Sequence, residues 1–155
     1  MSAGKSYAAR PDSIKIVKER GEPDRRLFAV TFDDQSGNRW FYLVAAELGT
    51  AGWIAHGVAG GSDGPARANP RPRSRSKPWL NFCGQWGTDR VYAGGQIHAG
   101  GTSVDQVRLK LSDETELTDD ADADVALFVS LRGAQPNTIM FLDARGSLIC
   151  AQRAF

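Results

Sequence analysis

The side chains able to do chemistry fall into four groupings. Cys83 precedes His98 by 15 residues. A thiol nucleophile needs an imidazole that lowers its pKa and a group to orient that imidazole, a part open to Asp89 or Asp105. Cys83 lies between Phe82 and Gly84 in an apolar stretch, however, and the expectation is a buried, inert thiol. Gly60-Gly61-Ser62-Asp63-Gly64 matches the spacing of a serine nucleophile elbow, which requires a helix directly after the serine. Pro65, Pro70 and Pro72 deny it one, so a glycine turn is expected instead. His56, Cys83, His98 and Cys150 show no short spacing of the kind that pre-positions metal ligands, and no metal or other cofactor is implied. The acidic run at 113–124 contains Asp120-x-Asp122-x-Asp124, the first three ligands of a calcium loop. Val125 stands where such a loop needs glycine and Leu131 where it needs glutamate, which excludes an EF-hand. A looser calcium site between strands stays open; a solvated acidic loop is the simpler reading.

Residues suited to binding are easier to find than residues suited to catalysis. Residues 63–78 hold Pro65, Pro70, Pro72 and Pro78 among Arg67, Arg71, Arg73, Arg75 and Lys77. Proline denies this segment helix or central strand and like charges extend it, so an exposed loop is expected. Arginines there would grip phosphates, but no aromatic is interleaved for base stacking, which disfavours nucleic acid. Trp40, Trp53, Trp79 and Trp86, with Tyr42 and Tyr92, crowd the middle of the chain. Trp40 and Trp53 sit within strand patterns, whereas Trp79 and Trp86 flank glycines and are expected to be more exposed. The predicted ligand-binding residues are therefore Trp79, Trp86, Tyr92, Arg71, Arg73 and Arg75, with a protein, peptide or glycan as ligand. The net charge of +1 conceals a dipolar chain, +6 over residues 1–112 and −5 over 113–155. Self-association through these opposite-charge segments is a further expectation.

Strands must position these groups. Phe28, Val30 and Phe32 alternate with Leu27, Ala29 and Thr31, and Val107, Leu109 and Leu111 with Arg108 and Lys110. Asp33-Asp34-Gln35-Ser36-Gly37-Asn38 and Asp143-Ala144-Arg145-Gly146 read as hairpin turns. Residues 40–48 also fit helical spacing, but their aromatic start and Gly49 favour a strand. Eight or nine short strands without a long helix predict an all-β, two-sheet Ig-like sandwich with one long Arg/Pro-rich loop. The expected organisation is a flexible tail over 1–12 and a single domain over 13–155, with the exposed loop at 62–78.

Val104, Val107, Leu109, Leu111 and Asp113, then Pro136, Ile139, Phe141, Asp143, Ala144, Gly146 and Leu148, form a two-part pattern. In this respect residues 91–155 resemble an Ig-like β-sandwich segment of uncharacterised actinobacterial proteins. Glu114 stands where that pattern has glycine. The resemblance implies a fold and no activity.

With 41% hydrophobic and 24% charged residues, composition excludes a disordered tail, a coiled coil, a collagen-like fibre and a polybasic nucleic-acid protein. No apolar stretch approaches the ~20 residues of a membrane span, and the start lacks the apolar core of a secretory signal. Cys83 and Cys150, 67 residues apart, do not make a disulfide framework. A cytoplasmic, non-catalytic binding or interaction module is the resulting expectation. The alternatives are an enzyme using a Cys83/His98 thiol site and a nucleic-acid accessory protein acting through residues 67–77.

Overall fold

Each apolar alternation in the chain becomes a strand, closed by a polar turn. The computed structural model describes residues 8–65 and 77–155. A first sheet is an antiparallel meander of β1 (Lys15–Glu22), β2 (Arg25–Asp33), β3 (Asn38–Gly49) and β4 (Gly52–Pro65). A second, in the order β5-β6-β9, contains β5 (Trp79–Trp86), β6 (Val91–His98) and β9 (Val125–Ser130). The third, in the order β11-β10-β7-β8, contains β7 (Gln106–Leu111), β8 (Glu116–Asp120), β10 (Pro136–Leu142) and β11 (Leu148–Arg153).

The alternation of β6 and β9 decides how these sheets stack. Val91 and Ala93 of β6, with Ala126 and Phe128 of β9, pack with Leu109 and Phe141 of the third sheet. The intervening Tyr92, Val125 and Leu127 pack with Leu27, Leu43 and Ala45 of the first. The β5-β6-β9 sheet is thus a middle layer, buried on both faces between two apolar cores. The all-β sandwich expected from the sequence is what forms. Among the described residues it has eleven strands in three sheets, rather than eight or nine in two. A strand apolar on both faces needs cover on both sides, and Val125 to Phe128 is such a run.

One of the unexpected strands, β8, was hidden in the acidic run. Leu117 is its one large apolar residue, and Asp119, read as part of a solvated loop, is only 4% exposed. Its carboxylate accepts the Leu127 N–H at 2.8 Å and bonds to Lys18 Nζ at 3.0 Å and Arg20 at 2.5 Å. Lys18 Nζ also donates to the Asp120 carboxylate and to the carbonyls of Asp120 and Val125, at 2.8–2.9 Å. β1, β8 and β9 are each the edge of a different sheet. Three edges therefore meet at one ion cluster that satisfies backbone groups as well as charges. Two more carboxylates of the acidic run are paired, Glu114 with Lys110 at 2.7 Å and Glu116 with Arg108 at 3.6 Å.

Both hairpin turns expected from the sequence form, and they share one hydrogen-bond pattern. Asp34 Oδ1 accepts the N–H groups of Ser36 and Asn38, while Asp143 Oδ1 accepts those of Arg145 and Ser147. Gly37 and Gly146 follow at φ +81° and +77°, the left-handed conformation that glycine adopts without strain. Asp34 is also buried, and Trp40 Nε1–H donates to its second oxygen at 2.9 Å. Hydrogen bonds from Trp40 and Asn38 hold its carboxyl below the ordinary value. Glu114 adopts φ +71°, the left-handed conformation that favours glycine.

Two expected boundaries shift. Residues 62–65, placed in the loop at 62–78, belong to β4. Arg67, Arg71, Arg73 and Arg75 lie outside the described residues. The tail placed at 1–12 is anchored from Ala9, which bridges to Asp34. Arg10 N–H donates to the Asp33 carbonyl at 2.8 Å, and Pro11–Ser13 forms a 3-10 turn.

Candidate functional site

The aromatic residues singled out in the sequence do not converge on one surface. Tyr92 is fully buried between the first and middle sheets, with its hydroxyl donating to Glu47 Oε1 at 2.7 Å. Burial, then the Glu47 carboxylate, pushes the Tyr92 phenol pKa up. Tyr92 and Arg90 in turn hold the Glu47 carboxyl below its ordinary value against the effect of burial. Trp79 stacks on His98, its register partner across β5 and β6, with ring centroids 4.3 Å apart. Trp86 stacks with Phe82 and with Phe155 at centroid separations of 5.9 and 5.7 Å. Stacked neighbours leave less of each ring face for a sugar or peptide. A depression of about 450 Å³ beside Trp86 is lined by Gln85, Asp89 and Arg90. Arg90 there is already paired with Asp89 at 3.0 Å and Glu47 at 2.5 Å.

Cys83 and His98 share the β5–β6 ladder but not a position on it. Cys83 is opposite Gly94, whereas His98 is opposite Trp79. Four residues of strand separate the two positions, about 13 Å at ~3.3 Å per residue. Burial pushes the Cys83 thiol up to about 11, so almost none of it is thiolate at neutral pH. Iodoacetamide at pH 7 is accordingly expected to label folded Cys83 at least ~100-fold more slowly than the urea-unfolded chain, read by mass spectrometry. Equal rates would show the thiol to be activated or open to solvent. Cys83 and Cys150 are both free thiols. Among the described residues, no three His, Cys, Asp or Glu side chains gather in a way that would hold a metal ion. Ser62 lies in β4, opposite Trp40, and its hydroxyl donates to the Arg39 carbonyl at 3.2 Å.

The surface that stands out is the outer face of the first sheet. On β2, Leu27 and Ala29 point inward and are fully buried, so Phe28, Val30 and Phe32 point outward. On β3, Phe41, Leu43 and Ala45 point inward, and Trp40, Tyr42 and Val44 point outward. The register pairs these six as Phe28 with Val44, Val30 with Tyr42, and Phe32 with Trp40. The Phe32 and Trp40 rings are stacked 6.1 Å apart and nearly parallel. Each of the six is only half-buried. Ile16 of β1, 63% exposed and opposite Val30, extends the face on one side. Trp53, 50% exposed at the start of β4, extends it at one corner. Neither apolar core includes these residues, and no element among the described residues packs over them.

Close packing of backbone and ring makes part of this face flat. A Cβ on Gly60 would lie 2.3 Å from the Tyr42 ring, and one on Gly57 would lie 3.0 Å from it. The two glycines thus form a floor on which Tyr42 lies down. The sequence marked Phe28, Val30 and Phe32 as sharing one face, but periodicity does not say which face turns to the core. The wider signal was that the middles of β2 (residues 27–32, Thr31 apart) and β3 (residues 40–46) place apolar or aromatic residues on both faces.

Comparison with known proteins names no relative: no protein-family model, curated protein or solved structure matches this chain. Among the described residues, no helix is long and apolar enough to cross a membrane.

Proposed function

We propose that this protein is a non-catalytic interaction module whose contact surface is the outer face of the first sheet. Three cross-strand pairs of large apolar side chains, half-buried and bordered by the exposed Ile16 and Trp53, carry this reading. A contiguous apolar patch of this kind on a folded domain is characteristic of an interaction surface. Trp40 and Tyr42 are suited to anchoring a partner, because flat amphipathic rings bury area at small entropic cost. The raised Cys83 thiol and its separation from His98 favour this reading over the enzyme alternative.

The test is a random-peptide display selection on the full chain, immobilised sparsely so that copies do not meet. Enrichment of peptides rich in aromatic and aliphatic residues is expected, and should be lost on a Val30→Lys/Val44→Lys variant of unchanged circular dichroism. Selection that enriches nothing, or that enriches equally on the variant, overturns the proposal.

A further inference from the structure

We infer that the partner of this face is a second copy of the same chain, the two first sheets packing against each other about a twofold axis parallel to their strands. The inference rests on the interaction-face reading above and gives it one occupant.

Area is the first argument. Four strands at ~4.8 Å spacing and nine residues of β3 at ~3.3 Å each define a face of roughly 500 Å². Two such faces remove roughly 1,000 Å² from water, the lower bound for a specific protein interface.

Charge is the second. Beside the buried Asp34 carboxylate that accepts the Trp40 N–H, the ionised side chains turned to this face are Glu19, opposite Phe28, and Arg26, opposite Gly21 on β1. They pair with each other at 3.4 Å. The exposed part of the face is therefore neutral within itself, with nothing to select a charged partner and nothing to repel an identical copy. Juxtaposed like charges are the usual obstacle to self-association, and this face lacks them.

Relief is the third. The β1–β2 half of the face stands up, bearing Ile16, Phe28, Val30 and Phe32. The β3–β4 half is low over its middle, because Tyr42 lies flat over Gly57 and Gly60 and Ala55 is small, with Trp53 standing only at its corner. Rotation by 180° about an axis along the strands lays the high half of one copy on the low half of the other. A twofold interface must be self-complementary in this sense. Sheets stacked this way, about 10 Å apart, repeat the packing already present inside the molecule.

The experiment is light scattering on the full chain after size exclusion, from micromolar to hundred-micromolar loading. Wild type is expected to reach twice the 16.8 kDa chain mass. Val30→Lys and Ala55→Lys are each expected to weaken the dimer by at least ~100-fold, since each buries an unpaired ammonium. Ala55 is exposed at the sheet edge, so its variant stays informative if Val30→Lys does not fold. Leu148→Lys, on β11 and 58% exposed in wild type, should remain a dimer. A wild type that is monomeric throughout overturns the inference, as does a dimer that survives both face variants. A monomer that still selects apolar peptides overturns only the second copy and keeps the interaction face. A monomer that floats with phosphatidylcholine vesicles assigns the face to a lipid surface and likewise overturns the second copy.

Discussion

Replacing Asp119 with alanine is expected to cost about 3–5 kcal/mol of folding stability, the usual penalty for breaking a buried ion pair from one side. The carboxylate serves three donors from two other sheets: Lys18 and Arg20 of β1, and the Leu127 N–H of β9. Without it, a lysine only 11% exposed is left with Asp120 as its one carboxylate partner, and a buried amide loses its acceptor. Urea unfolding measures the effect, and a loss under ~1 kcal/mol would sink the account. A second arm separates charge from space. Pairing Asp119→Leu with Lys18→Met removes both charges, and is expected to recover a good part of the loss, because apolar replacements of buried pairs are often tolerated. The Leu127 amide stays unsatisfied in that variant, so recovery should be incomplete. The cluster therefore matters less as attraction between charges than as closure of three strand edges that would otherwise carry unpaired groups.

The adjacent residues Leu127 and Phe128 supply the second large effect. Leu127→Ala is expected to cost about 2–5 kcal/mol and Phe128→Ala about 3–5 kcal/mol, each by opening a cavity in a different core. In a two-sheet sandwich, neighbours on a strand alternate between core and water, and one of two consecutive truncations would fall within ~0.5 kcal/mol of wild type. Large losses at both positions require a middle layer. One near-neutral result would remove that layer.

Particular segments show how far the sequence could be read. The hairpins at 34–38 and 143–147 were legible because turn chemistry is local: an aspartate, a glycine three residues later, and the bonds between them lie within five residues. The strand identity of 40–48 was legible from its aromatic start and its glycine stop. β8 was not, since its carboxylates look solvated until Lys18 and Arg20 arrive from about a hundred residues away. The tryptophans misled in both directions. Trp53, expected inside a strand pattern, is half-exposed. Trp86, expected to be more exposed, stacks with Phe82 and with Phe155 at the far end of the chain.

By itself, the amino-acid sequence determined the all-β class, the positions of most strands and the geometry of the turns. Periodicity, β-branching and turn residues act between near neighbours, so a single segment contains the whole signal. Only the tertiary structure decided which face of each strand is inside. A period of two divides a strand into two faces and assigns neither to water, and β2, β3, β6 and β9 are apolar on both. For β6 and β9, sheets on either side bury both faces. For β2 and β3 no element among the described residues covers the outer face, and that asymmetry, set by how the sheets stack, makes Phe28, Val30, Phe32, Trp40, Tyr42 and Val44 a surface rather than a core.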